Sequence, residues 1–154
     1  MSFLVLSMFW LHHNALFSFF AKNVNRPLIL LNMLYLCTIA FIPFSAHLIG
    51  SYPENELAFV IYGLNLFVSG GANYLLLKYA ILAKEIDTDH VPIRIFKQGA
   101  IRVTMTPFFS LFGILAALLG WLPIALVLFT FPILFNILPG GVDFLEKKLR
   151  LKLG

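Results

Sequence analysis

The chain has 154 residues, of which 60% are hydrophobic and only 12% charged, about half the charged share of an ordinary soluble domain, so a water-soluble enzyme or binding module is excluded. Its net charge of +4 does not indicate nucleic acid as a partner. The basic residues lie in short loops and at helix ends, where they act as topology signals and lipid-headgroup contacts.

Apolar runs long enough to cross a bilayer as helix, separated by polar or Pro/Gly punctuation, predict spans at 3–21, 28–49, 57–77, 103–119 and 122–138. These runs are continuously apolar, without the alternation of barrel strands. The expected fold is all-α: a polytopic membrane helix bundle with five transmembrane helices in one domain, 1–140, followed by an amphipathic basic tail, 141–154.

The first span carries Trp10, His12, His13 and Asn14. Burying such groups is costly unless they find partners, so they are expected to face protein or water rather than lipid. Adjacent residues point about 100° apart on a helix, so His12 and His13 do not readily share one metal; interhelical hydrogen bonds are the better reading, a ligand pair the alternative. The span begins almost at Met1, with neither a charged leader nor a small-residue cleavage site, so it does not read as a signal peptide. A span entering with its amino end outward leads us to expect a further helix upstream.

The second span holds Asn32, at the same membrane level as His13 and a candidate partner for it or for a missing helix. It also holds Cys37, expected as a small core residue, and His47 near its outer end beside Pro43. A lone cysteine excludes a disulfide framework and a cysteine metal site. In the third span Ser69, Gly70, Gly71, Ala72 and Asn73 form a small-residue patch, and the fourth pairs Gly113 with Ala117 and Ala116 with Gly120. Small residues four apart let helix backbones approach, so Gly70, Gly71, Gly113 and Ala117 are expected at packing faces, with pore lining the alternative. Gly120 to Pro123 predict a tight interfacial hairpin between the last two spans.

Two segments outside the spans are amphipathic. His90 to Arg102 suits a helix lying on the cytoplasmic surface. In the tail, Leu145, Leu149 and Leu153 recur between Lys147, Lys148, Arg150 and Lys152, which suits contact with anionic lipid, the alternative being a frayed solvated tail. All eleven basic residues fall in the first loop, around the third loop or in the tail. The second loop, with Glu54 and Glu56, has none. The positive-inside rule then places the N-terminus outside and the C-terminus in the cytoplasm.

There is no phosphate loop, zinc-type His/Glu spacing or nucleophile elbow, so no enzyme, metal site or cofactor is expected. All seven acidic residues lie in loops or the tail, which disfavours a coupled transporter needing an intramembrane carboxylate. The pore-loop potassium filter is also absent.

Three stretches are similar to the transmembrane protein 175 family of potassium channels. Ser2-Phe3 followed by Trp10, His13 and Leu16-Phe17 resembles that family's second helix. Asn32 with Ile39-Ala40-Phe41-Ile42-Pro43-Phe44 resembles its third, and Tyr52 leading to Tyr62 the start of its fourth. The resemblance implies a six-helix channel subunit of the prokaryotic single-repeat type, here without the first, pore-lining helix. It further implies a homotetramer in the plasma membrane passing potassium ions through apolar constrictions, with no nucleic-acid partner, the alternative for the chain without its first helix being a subunit that does not conduct. Trp10, His13 and Asn32 match a polar network that braces the pore helix. The family's Arg-x-x-x-Phe-Ser-Asp signature has no counterpart: Phe17-Ser18-Phe19, Pro43-Phe44-Ser45 and Phe109-Ser110 come nearest, and none is followed by aspartate. No gate residue is carried over. A non-conducting membrane scaffold or interaction protein built on the same fold is the alternative function.

Overall fold

The structure, a computed structural model, describes residues 2–20, 23–83 and 93–137. The tail 141–154 lies outside these residues, as do Lys22, Lys84 and residues 90–92. Among the described residues every regular element is helical: α1 (Ser2–Ala15) running into a π-helical turn (Leu16–Phe20), α2 (Arg26–Ala40), α3 (Ile42–Ser51), α4 (Glu56–Leu82), α5 (Ile93–Leu118) and α6 (Leu122–Ile137).

The described residues form an all-helical bundle with the apolar spans of a membrane protein. Arg26–Ser51, Glu56–Leu82 and Lys97–Leu118 are each long and apolar enough to cross a bilayer, and Leu122–Asn136 is a shorter apolar helix. Its exterior is apolar too: Ile29, Leu30, Met33 and Leu34 of α2 are all exposed, a surface that a soluble monomer rarely presents. Cys37 is exposed on this same helix. It is therefore not the core residue expected, because the buried side of α2 is set by Leu28 and Tyr35.

Local chemistry fixes the helix ends. Asn25 caps α2 by accepting from the Leu28 amide at 3.1 Å, and Asn55 caps α4 by accepting from Leu57 at 2.9 Å; such caps satisfy backbone donors that a helix start leaves unpaired. The single run expected over 28–49 is present as the candidate span Arg26–Ser51, interrupted only by a turn at Phe41, whose φ of −80° and ψ of −13° remain right-handed helical. Pro43 brings no amide to the Ile39 carbonyl and its ring crowds that turn, so regular helix gives way between Ala40 and Ile42.

The segment expected to lie on the surface as a separate helix instead runs unbroken into the span, from Ile93 through Pro107 to Leu118. The expected hairpin after it is present. Gly120 adopts φ 74°, its amide donates to Ala117 at 3.0 Å and the Trp121 amide to Ala116 at 2.9 Å. This paired bonding closes a helix C-terminus through a left-handed residue, which glycine adopts without strain.

Helix α4 is central, with α2, α3, α5 and α6 all packed on it. Glycine sets the closest approaches. A Cβ at Gly70 would stand 2.5 Å from Pro107 Cδ, one at Gly63 would stand 2.6 Å from Ile114, and one at Gly113 would overlap the Phe129 ring. Ala117 is fully buried. Gly71 is different: a Cβ there meets nothing within 4 Å. Within the chain, the close face of α4 is thus the Gly63–Gly70 stripe, seven residues apart, to which Gly71 does not belong.

Candidate functional site

The polar residues of α1 divide between its neighbours. His13 donates from Nε2 to Asn32 Oδ1 on α2 at 2.7 Å, the pairing anticipated from their common depth. The His13 ring lies nearly parallel to Tyr35, with centroids 5.9 Å apart and planes 6° from parallel, and tilts against Phe17 at 4.8 Å. Tyr35 is fully buried and its hydroxyl donates to the Phe9 carbonyl at 2.8 Å. Phe9, His13 and Phe17 recur every four residues, so they share one face of the helix. That face is what α2 grips.

His12 turns to a different partner. Its Nε2 donates to Asn136 Oδ1 on α6 at 3.3 Å, while Asn136 Nδ2 donates back to the Pro132 carbonyl at 2.7 Å and contacts Met8 Sδ at 3.7 Å. The two adjacent histidines thus bond different asparagines on different helices and do not form a ligand pair. Asn136 escaped notice in the sequence. The signal was there, an isolated amide in the apolar run 122–138, but nothing in the run said which helix it would meet.

Trp10 joins neither pair. It is 61% exposed, and Asn14, one turn on, is exposed as well and accepts from Ser18 Oγ at 3.3 Å. Helix α1 therefore has two faces tied to the bundle by histidines. A third, carrying Trp10, Asn14 and Ser18, is uncovered by the other described residues.

A further polar link crosses α3 and α4, where Asn65 Nδ2 donates to Ser45 Oγ at 2.9 Å and Ser69 Oγ to Asn65 Oδ1 at 3.4 Å. Asn25 also reaches Tyr79, donating to its hydroxyl at 2.9 Å. Asn65 and Asn25 were not singled out in the sequence, being hidden among polar caps and small residues.

The family model described as endosomal/lysosomal potassium channel TMEM175 matches residues 1–43, the stretch that contains Trp10, His13, Asn32 and the Phe41 turn. A relative from the zebrafish Danio rerio, the endosomal/lysosomal proton channel TMEM175, is 25% identical over 138 residues, covering 84% of this chain and 26% of the relative. The chain thus spans about a quarter of that relative's length. No solved structure matches.

Proposed function

From its similarity to the TMEM175 family we propose that the chain is a subunit of a potassium-permeable channel of the prokaryotic single-repeat type, assembled as a homotetramer in the plasma membrane. The subunit would cross the bilayer five times with its N-terminus outside. Conduction is passive, through a pore with apolar constrictions where the cost of stripping water from the ion sets selectivity.

The observation that carries this reading is the uncovered face of α1. Trp10 and Asn14 are exposed there while His12 and His13 anchor the same helix to α6 and α2. Polar groups at membrane depth face protein or water rather than lipid, so this face belongs at a subunit interface or beside an aqueous path. Trp10, His13 and Asn32 then form a brace: the His13–Asn32 bond holds α1 against α2, and Trp10 is left free to contact the pore-forming element. The described acidic residues, Glu54 and Glu56, lie in the α3–α4 connection and the first turn of α4, which suits passive flow better than carboxylate-coupled transport.

Reconstitution into liposomes with a potassium gradient and an internal pH dye tests it. Potassium flux that collapses the gradient is the expected result, and the dye reports protons, the ion named for the zebrafish relative. An oligomer that assembles and passes neither ion would overturn the channel reading in favour of the scaffold.

A further inference from the structure

A guanidinium half-buried at membrane depth is costly unless an anion or another acceptor stands beside it. Arg102 of α5 is in that position: it is half-buried, and its enclosed Nε has no hydrogen-bond partner among the described residues. Its place on the helix follows from the α5–α6 seam. Ala117 is fully buried and Gly113 meets the Phe129 ring. Continued back at helical spacing, that stripe passes through Thr106, 3% exposed, and reaches Arg102. There the Arg102 charge acts on the His12 ring, which puts it beside the junction of α1 and α6. The ring does not pair with it. His12 Nε2 is bonded to Asn136 at 3.3 Å, and the Nδ1 atom has no partner.

The depth of Arg102 can be read against α4. Gly63 meets Ile114 and Gly70 meets Pro107, so the two helices run antiparallel and Arg102, five residues before Pro107, is level with Leu75. That is three residues short of Lys78. Asn25 donates to the Tyr79 hydroxyl at 2.9 Å, which brings Arg26 to the same end of the bundle. The described carboxylates, Glu54 and Glu56, stand at the opposite end of α4. No described acidic residue therefore reaches Arg102. At the boundary of a bilayer the anions at hand are the phosphates of its lipids.

We propose that Arg102 binds the phosphate of an anionic phospholipid at the corner between α5 and the α1–α6 junction, its guanidinium donating to two phosphate oxygens. Arginine matches that group with two parallel charge-assisted bonds, and basic sites between membrane helices take lipid headgroups in this way. The site differs from the surface charge around it. Lys97, five residues earlier on the same helix, is exposed and attracts anionic lipid without enclosing it. The bound lipid closes the end of the α5–α6 seam, whether the assembly conducts or serves as a scaffold.

Native mass spectrometry of the full chain, released from detergent that holds phosphatidylglycerol or phosphatidylcholine at equal concentration, counts the retained lipid. The unaltered chain should retain phosphatidylglycerol and little phosphatidylcholine. Arg102→Gln should lower that retention about tenfold, the loss of a charge-assisted bond, while Lys97→Gln should leave it unchanged. Equal loss in both variants, or no loss in Arg102→Gln, overturns the proposal by reducing the effect to surface charge. An unaltered chain that retains no phosphatidylglycerol overturns it as well, because another occupant then holds Arg102. Displacement of the lipid by excess inorganic phosphate overturns the lipid assignment in favour of the free ion. If Arg102→Gln does not fold, Arg102→Lys decides: it keeps the charge but not the paired donors, so undiminished retention there overturns the proposal and reduced retention supports it.

Discussion

Gly113 of α5 lies so close to Phe129 of α6 that a single added carbon would overlap the ring. The same ring stands nearly perpendicular to Tyr62 of α4, with centroids 5.4 Å apart, so three helices converge on one aromatic side chain that is 2% exposed. Gly113→Ala should therefore lower the thermal midpoint in detergent, at a cost of about 1–3 kcal/mol, because a packed interior accepts an extra methyl only by moving its neighbours. Gly71→Ala, which meets open space, serves as the control and should leave the midpoint unchanged. Equal effects at both positions would contradict the packing described.

The His13–Asn32 bond should show energetic coupling. His13→Phe and Asn32→Leu, singly and together, form a double-mutant cycle in a denaturant titration of the detergent-solubilised protein. The expected coupling is about 0.6 kcal/mol and no more than about 2 kcal/mol, the range for interhelical hydrogen bonds in membrane proteins. Additive effects would mean that the 2.7 Å contact contributes nothing.

Trp10→Leu should separate folding from assembly. Its side chain is 61% exposed in the single chain, so the thermal midpoint of the isolated subunit should hardly move, while cross-linking in lipid should show less oligomer. A collapse of the subunit fold would place Trp10 inside it.

At the α5–α6 turn, Gly120→Ala should cost about 1–2 kcal/mol, the strain of putting a Cβ into the left-handed region, since φ there is 74°. Gly120→Asn should cost less, because asparagine tolerates that region better. Melting curves of the two variants rank them directly.

Orientation is open to labelling. In a Cys37→Ala background, Glu54→Cys should react with a membrane-impermeant maleimide added outside, and Lys97→Cys only after permeabilisation. The reverse pattern would invert the topology drawn from the basic residues.

What the sequence disclosed follows from how far each physical rule reaches. Burial in hydrocarbon demands partners, which made His13 and Asn32 conspicuous and matched them by depth. The same rule applies to Asn65 and Asn136 but names no partner, because Ser45 and His12 come close only once α3 and α6 have docked. Gly120 was legible because a glycine between two short apolar runs has a local meaning. Gly70 and Gly71 were not separable, since which of two adjacent glycines faces Pro107 depends on the rotation of α4. The continuity of α5 was missed for a related reason. Mixed charge over 97–102 describes the environment of that stretch, and says nothing about whether the backbone bends before Val103.

The three residues 119–121 that join α5 to α6 include no charged side chain and are closed by backbone bonds back onto α5. Such a link is too short to park one helix in the bilayer while its neighbour waits in water. In the five-span arrangement proposed above, the two helices would therefore enter as one unit during synthesis, and α6 would take the sense opposite to α5 without any topological signal of its own.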